Sequence, residues 1–449
     1  MKKKFLKYFI ICTAIMLFMS KSTFASSLDI PVWSTNATKL NVTCNSTINN
    51  ITNETNVNNN QTSNNSISST VNSNATASPS PTLNSKDAVT NNPLKLTCGG
   101  AILIEQNTGN VLYDYNMHEK LRPASVTKIM TILLIMEALD SGKIALTDKI
   151  PCSKEASSMG GSQIWLETTE QLTVDEMLKA ICVVSANDCT VAMAEYLEGS
   201  EEAFVAKMNE RAKELGMNDT TFKNCHGIDE DGHLTSAYDI AIMSRELLVN
   251  HPSVTKYTTI YMDSLRDGKS ELVNTNKLVR NYDGCTGLKT GSTSLALFNL
   301  SASATKNDLS LIAVVLKGSS SEVRFAEARK LLDYGFSNYE YKNLGKKGDV
   351  IGSVNINKGI ESYTNAILKN DVGIVIKKAK SSNISQNVEL FNNISAPVSK
   401  GQKVGEVSFY LDNKEVGKAD LVSSSDISKY SFGAMSAKVY KSWFTLLRL

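Results

Sequence analysis

The sequence predicts an α+β fold: an antiparallel sheet with flanking helices and a helical subdomain, followed by a small all-β domain. Three observations carry this prediction. Apolar runs at 100–106 and 111–115 flank the turn residues Asn107-Thr108-Gly109-Asn110, which reads as a β-hairpin. Residues 173–250 carry helical spacing and cap signals. Strand-like runs then return at 295–305 and 309–316, around Lys306-Asn307-Asp308. Strands at both ends, with helices between them, make a sheet that the two ends of the domain close together.

Taken in order, the chain of 449 residues has room for two or three domains. Its formal net charge of +2, without a basic stripe interleaved with aromatics, excludes a nucleic-acid binder. Residues 1–25 read as an export signal. Lys2, Lys3, Lys4 and Lys7 precede an apolar core at 8–19, and the small residues Ser22, Thr23 and Ala25 place cleavage after Ala25. The apolar core is too short for a membrane span, and Cys12 lies inside it rather than after it, against a lipoprotein. Residues 26–95 form a tether. About 28 of the 40 residues from 41 to 80 are Asn, Ser or Thr, too few apolar groups to offset chain entropy, so disorder is expected there.

The first folded domain spans 96–337. Residues 129–139 are apolar almost all round, as in a buried helix, and Ser141-Gly142 stops it. Thr173 is placed as an N-cap with Glu176 closing a capping box. A helix at 201–215 ends at Gly216, and a terminal helix at 322–334 packs on the sheet. Residues 338–432 change character: short β-like runs at 350–356, 372–376 and 404–411 alternate with Gly, Asn and Lys turns, as in a separate β-rich domain. At 433–449 the pattern is amphipathic. Val439, Tyr440, Trp443, Phe444, Leu446 and Leu447 share one face, while Lys438, Lys441 and Arg448 fall on the other. Trp443 and Phe444 with Lys441 and Arg448 suit a helix lying in the membrane interface, too short to cross it.

The cysteines include no C-x-x-C pair and no zinc spacing, so neither a metal nor another cofactor is expected. Cys182 and Cys189 are read as one helix face, two turns apart and beyond disulfide reach. Most cysteines read as small buried hydrophobes.

The chemistry is expected at Arg122-Pro123-Ala124-Ser125-Val126-Thr127-Lys128. A serine three residues before a lysine, at the head of a buried helix, puts hydroxyl and amine on one face. That arrangement suits a serine nucleophile whose proton goes to a neutral lysine. Two further motifs strengthen it: Ser185-Ala186-Asn187 within a helical segment, and Lys289-Thr290-Gly291 opening the first late strand. The ordered set S-x-x-K, S-x-N, K-T-G marks serine enzymes that act on D-alanyl peptides and β-lactams.

The segment 96–336 resembles the low-molecular-weight penicillin-binding proteins, the serine-type D-Ala-D-Ala carboxypeptidases. Beyond the three motifs, the likeness includes Gly161-Ser162, Leu172-Thr173-Val174, Lys213-Glu214-Leu215-Gly216-Met217, His226-Gly227-Ile228 and Tyr282-Asp283-Gly284. It implies a β-lactamase/transpeptidase-like fold acting on peptidoglycan stem peptides at the outer face of the cytoplasmic membrane, with β-lactams as covalent inhibitors. Ser125 would attack the carbonyl between two D-alanines, and Lys128, its charge disfavoured by burial and by Lys289, would take the proton. Ser185 would relay a proton to the leaving amine. Asn187 would hold the acyl-side amide and orient Lys128. The backbone N–H groups of Ser125 and Ser292 would form the oxyanion hole. Lys289, Thr290, Gly291 and Arg324 would bind the substrate's carboxylate end. His226 and His233 are read as structural.

Three rivals remain. A β-lactamase shares the motifs, and Glu214 sits in a run that superficially resembles a class A deacylating glutamate; Gly216 as a helix C-cap and Ala186 between Ser185 and Asn187 argue against it. A D,D-endopeptidase is chemically adjacent. A non-catalytic wall-binding homologue would have no need of an intact serine apparatus.

Overall fold

The computed structural model describes residues 92–378 and 383–433, together with Ser436, Val439, Tyr440 and Trp443. The expected signal at 1–25, the tether up to residue 91, Cys44, and the anchor residues Lys441, Phe444 and Arg448 lie outside the described residues.

Strands β1 (Gly100–Glu105) and β2 (Val111–Tyr115) form the predicted hairpin. They join β3 (Cys285–Thr293), β4 (Leu297–Lys306) and β5 (Leu309–Gly318) in an antiparallel sheet of order β2-β1-β5-β4-β3. Pairing of Gly100 with Leu316 and Glu105 with Leu311 brings the two ends of the domain together. The β4–β5 turn at Asn307 and Asp308 has left-handed φ at both residues (49° and 65°), matching the hairpin twist.

The central strands β1 and β5 are buried on both faces, as their near-continuous apolar runs require. Ile102, Ile104, Ile312, Val314 and Leu316 face one core. Ala101, Leu103, Leu311, Ala313 and Val315 face the other, the alternation that a pleated strand imposes. The first core holds helices α1 (Lys128–Asp140), α2 (Val174–Val183), α3 (Asn187–Glu198), α4 (Glu201–Glu214) and α5 (Ala237–Asn250). Helix α1 runs through its middle, buried from Lys128 to Met136. At about 1.5–3 kcal/mol per buried aliphatic side chain, Ile129, Ile132, Leu133 and Ile135 hold it firmly. The Thr173–Glu176 capping box starts α2.

On the opposite face lies α6, Ser321–Asn338, longer at both ends than its sequence pattern suggests, with Ser320 as N-cap. Arg324 lies inside its first turns. The chain then enters the strand Tyr339–Gly345, which pairs with Val372–Lys377. Tyr339 is buried against the second core and Tyr341 and Val375 pack beside it, so the β-rich region is joined to the first domain through apolar contact. A six-stranded sheet, built around Lys403–Leu411 and Lys414–Ser423, carries its own core of Val354, Leu368, Val407, Phe409 and Leu421. The expected run at 350–356 is its strand Val350–Asn357, while Tyr363–Leu368, Ile384–Leu390 and a hairpin of Met262–Leu265 with Ser270–Val273 escape sequence reading because they are short and partly exposed.

Two local expectations are corrected. The Ser185 motif is not within a helix: it is the break between α2 and α3, and Ser185 has a left-handed φ of 65°. Cys182 and Cys189 therefore lie on different helices. Both are free thiols, as are the other described cysteines, all buried except the half-buried Cys285. No described helix is long and apolar enough to cross a membrane. Of the C-terminal segment, Val439, Tyr440 and Trp443 are helical and exposed.

Candidate active site

Ser125 sits in a 3-10 turn, Ala124–Thr127, immediately before α1. It is half-buried while Ala124, Val126 and Thr127 are buried. Three distant segments hold this turn. Asn299 Nδ2 of β4 donates to the carbonyls of Arg122 (2.8 Å) and Pro123 (2.9 Å). Gly291 of β3 lies so close that a Cβ there would stand 2.9 Å from Ser125 N. At Gly227, with φ of 92°, a Cβ would fall 2.0 Å from Ala124 O, a distance no side chain tolerates.

Lys128 is fully buried. Its Nζ donates to Asn187 Oδ1 (2.6 Å) and to His226 O (2.7 Å), and lies 3.2 Å from Ser125 Oγ. Burial first, then the charge of Lys289, hold its pKa well below the ordinary lysine range. A neutral amine has two N–H groups and one lone pair. With the two hydrogens directed at Asn187 and His226, the lone pair is left for the Ser125 hydroxyl, the geometry of a general base.

Asn187, at the first position of α3, is fixed at both ends: Nδ2 donates to Gly160 O (2.7 Å) and its backbone N to Ser162 O (2.6 Å). Its Oδ1 is thereby fixed in position to accept from Lys128 Nζ. Ser185 Oγ is buried and has no hydrogen-bond partner among the described residues. An orphaned buried hydroxyl costs about 1–3 kcal/mol, and its left-handed backbone adds strain of the kind that collects at functional sites.

Lys289, Thr290 and Gly291 occupy the middle of β3 rather than its start. Lys289 Nζ donates to Thr290 O (3.0 Å), and burial, with Arg324 adding to it, pushes its pKa down to about 7. Thr290 Oγ1 donates to Thr275 Oγ1 (2.8 Å). Ser292 is exposed on the strand next to Gly291. Arg324 is buried. Its Nη1 donates to the carbonyls of Gly291 (3.1 Å) and Asn299 (3.2 Å), and its guanidinium lies over the rings of Phe298 and Phe325. Its Nε is buried without a partner, and no carboxylate among the described residues is within ion-pair distance. Burial pushes its pKa down to about 10. Arg324, with no carboxylate in ion-pair distance among the described residues, and the buried Lys289 amine lend this end of the cleft positive potential.

Sequence reasoning missed Asp188, a buried carboxylate next to Asn187 that accepts from Ile164 N and Leu166 N at 3.0 Å each. A charged residue in an apolar helix was the available signal. Thr275 and Asn299 carried none. His233 Nδ1 accepts from Lys223 N (3.0 Å), so Nε2–H donates to Thr127 Oγ1 (2.8 Å). Burial pushes His226 down to about 3 and His233 to about 4, so both are neutral braces. Glu214, at the end of α4, is half exposed and paired with Arg211 (3.1 Å).

Comparison with known proteins agrees with this arrangement. Residues 87–320 match the family described as D-alanyl-D-alanine carboxypeptidase, and residues 339–429 match the penicillin-binding protein 5, C-terminal domain. The chain is 46% identical over 347 residues to the D-alanyl-D-alanine carboxypeptidase DacF of Bacillus subtilis (strain 168), covering 76% of this chain and 89% of that one. It is similar to crystal structures of penicillin binding protein 5 from Haemophilus influenzae (TM-score 0.64, 32% identity, 75% of this chain and 98% of that one). It is also similar to penicillin-binding protein D2 from Listeria monocytogenes in its ampicillin-bound form (TM-score 0.50, 29% identity, 54% of this chain and 99% of that one). With its three motifs folded into one cleft, the chain belongs to the serine-type D-alanyl-D-alanine carboxypeptidases, the low-molecular-weight penicillin-binding proteins.

Proposed function

We propose that this cleft removes the terminal D-alanine from peptidoglycan pentapeptide stems through an acyl-enzyme at Ser125. The observation that carries it is the buried Lys128, its two amine hydrogens directed at Asn187 Oδ1 and His226 O, 3.2 Å from Ser125 Oγ. Ser125 Oγ attacks the penultimate D-alanyl carbonyl as its proton passes to Lys128 Nζ. The developing oxyanion is received by the backbone N–H groups of Ser125 and Ser292. The tetrahedral intermediate collapses, the C–N bond breaks, and the proton held by Lys128 passes through Ser185, with Lys289 behind it, to the leaving amine, which returns Lys128 to its neutral form. D-alanine departs and the stem remains as an ester. Water then attacks the ester, giving its proton to Lys128, and Ser125 regains its hydrogen as the shortened stem leaves. The carboxylate of the departing residue is held by Arg324, Thr290 and Lys289. β-Lactams present a strained amide to the same serine, and the ampicillin-bound Listeria relative supports that reading. The test is mass spectrometry of a pentapeptide-stem muropeptide after incubation with the enzyme. Loss of one alanine is expected; an unchanged stem overturns the reading.

The protein is further proposed to be exported and held peripherally at the outer face of the cytoplasmic membrane by residues 433–449. Exposed helical Val439, Tyr440 and Trp443 support this.

A further inference from the structure

A second groove of about 790 Å³ borders the cleft, between the loop carrying Gln163 and Trp165 and the hairpin Met262–Leu265/Ser270–Val273. Its lining includes Val184, the neighbour of Ser185, and Gln163, the neighbour of Ser162, whose carbonyl accepts Asn187 N. The groove is thus continuous with the turn that carries Ser185 and Asn187.

Trp165 stands out within it. The residue is 75% exposed, yet the backbone around it is held on both sides. Ile164 N and Leu166 N donate to the buried Asp188 carboxylate. Arg266 donates to the carbonyls of Ile164 (2.9 Å) and Trp165 (3.3 Å), and is itself clamped by Glu170 (2.7 and 2.9 Å) and Ser270. Trp165 has a φ of 53°, left-handed backbone that a bulky residue seldom adopts. A buried carboxylate and a bidentate arginine therefore hold a strained tryptophan with its indole in solvent. Such a ring contributes little to the core, and a rigid, amphipathic aromatic surface is what ligand contact uses. Around it, Glu167, Lys269 and Glu271 supply charge, and neither glutamate has an ion-pair partner among the described residues.

We propose that Trp165 is a specificity-determining platform for the acyl-side arm of the stem peptide. Its indole packs on the aliphatic side chain of the residue preceding the D-alanyl pair, and Glu167 and Glu271 receive an amine at the end of that side chain. The inference rests on the proposed carboxypeptidase reading, since the Asn187 amide marks the side from which the acyl arm leaves the cleft.

Two peptides with the same D-Ala-D-Ala end test it: one with a lysyl residue before the pair, one with only an acetyl group. The readout is the ratio of their kcat/KM values. Trp165→Ala is expected to lower the lysyl-to-acetyl ratio about tenfold, mainly through KM, while Trp165→Phe stays within about threefold. An unchanged ratio, including an equal loss on both peptides, overturns the platform. In a Ser125→Ala background, adding the lysyl peptide to the full chain should change tryptophan fluorescence, and Trp165→Phe should remove that change. Persistence of the signal without Trp165 overturns the contact, because the chain's other two tryptophans would then carry it. If the wild-type enzyme releases D-alanine from neither peptide, the carboxypeptidase reading itself fails. Release from both, with a ratio indifferent to Trp165, sinks the platform alone.

Discussion

Asn187 Oδ1 accepts a hydrogen bond from Lys128 Nζ at 2.6 Å, tying the second motif of the cleft to the first across 59 residues of sequence. Asn187 is in turn fixed by Gly160 O and Ser162 O, so the lysine is oriented by a network rather than by its own helix. That relation makes the serine chemistry directional, and it leads to specific expectations.

Ser125→Ala removes one hydroxyl from a half-buried turn and should leave the fold intact. D-alanine release and covalent penicillin labelling should both disappear. Intact-protein mass after penicillin treatment checks this; a penicilloyl adduct on the variant would show that another residue is the nucleophile.

The pH profile of acylation should be bell-shaped. Lys128 must be neutral, so activity falls as pH drops through its depressed pKa. Lys289 must keep its proton, and with a pKa of about 7 in the free enzyme its loss shapes the alkaline limb of kcat/KM. Lys289→Arg cannot deprotonate in this range and should move that limb upward by a unit or more, roughly, if Lys289 is the group. An alkaline limb identical in the variant would assign it elsewhere.

Arg324→Ala should weaken turnover of peptides ending in a free carboxylate by about 10–100-fold, the worth of one charge-assisted contact. Acylation by an agent lacking that carboxylate should lose far less. Equal losses would mean that Arg324, bonded to Gly291 O and Asn299 O, serves only to brace β3 and β4.

Stability should fall in mild acid. His226 and His233 have folded-state values of about 3 and 4 against an ordinary 6.5. The unfolded chain therefore binds more protons between those limits. Their contribution is fully present above pH 6.5 and is lost as pH drops toward 4 and then 3. At about 1.4 kcal/mol per pKa unit this amounts to a few kcal/mol per histidine. Thermal unfolding from pH 7 to 4 should show the decline, and His233→Gln should flatten it; an unaltered slope would remove His233 from the account.

Membrane attachment is checked by flotation with anionic liposomes. The mature protein should float and a form lacking residues 436–449 should not. Recovery of the intact form in the soluble fraction would instead favour docking of that helix on the β-rich region.

Short-range features were legible in the sequence because they are encoded within a few residues. The hairpin around Asn107–Asn110, the Thr173–Glu176 capping box and the Ser125–Lys128 spacing all depend on neighbours one to four positions away. The order of the three motifs named the family for the same reason: each is a local string. What the tertiary structure decided is the electrostatic state and the strain of those residues. The pKa of Lys128 is depressed because packing buries its amine and the charge of Lys289 acts on it. Ser185 is orphaned and left-handed because α2 must break for Asn187 to reach Lys128. Arg324 is a buried cation because α6 lies across the carbonyls of Gly291 and Asn299. Beyond 338 the runs at 350–356, 372–376 and 404–411 were legible as strands, whereas Ile384–Leu390 and Lys414–Ser423 were missed because they are polar and largely exposed over much of their length. Desolvation and charge coupling depend on segments 60 to 200 residues apart, roughly, brought together by packing, and no local pattern records them.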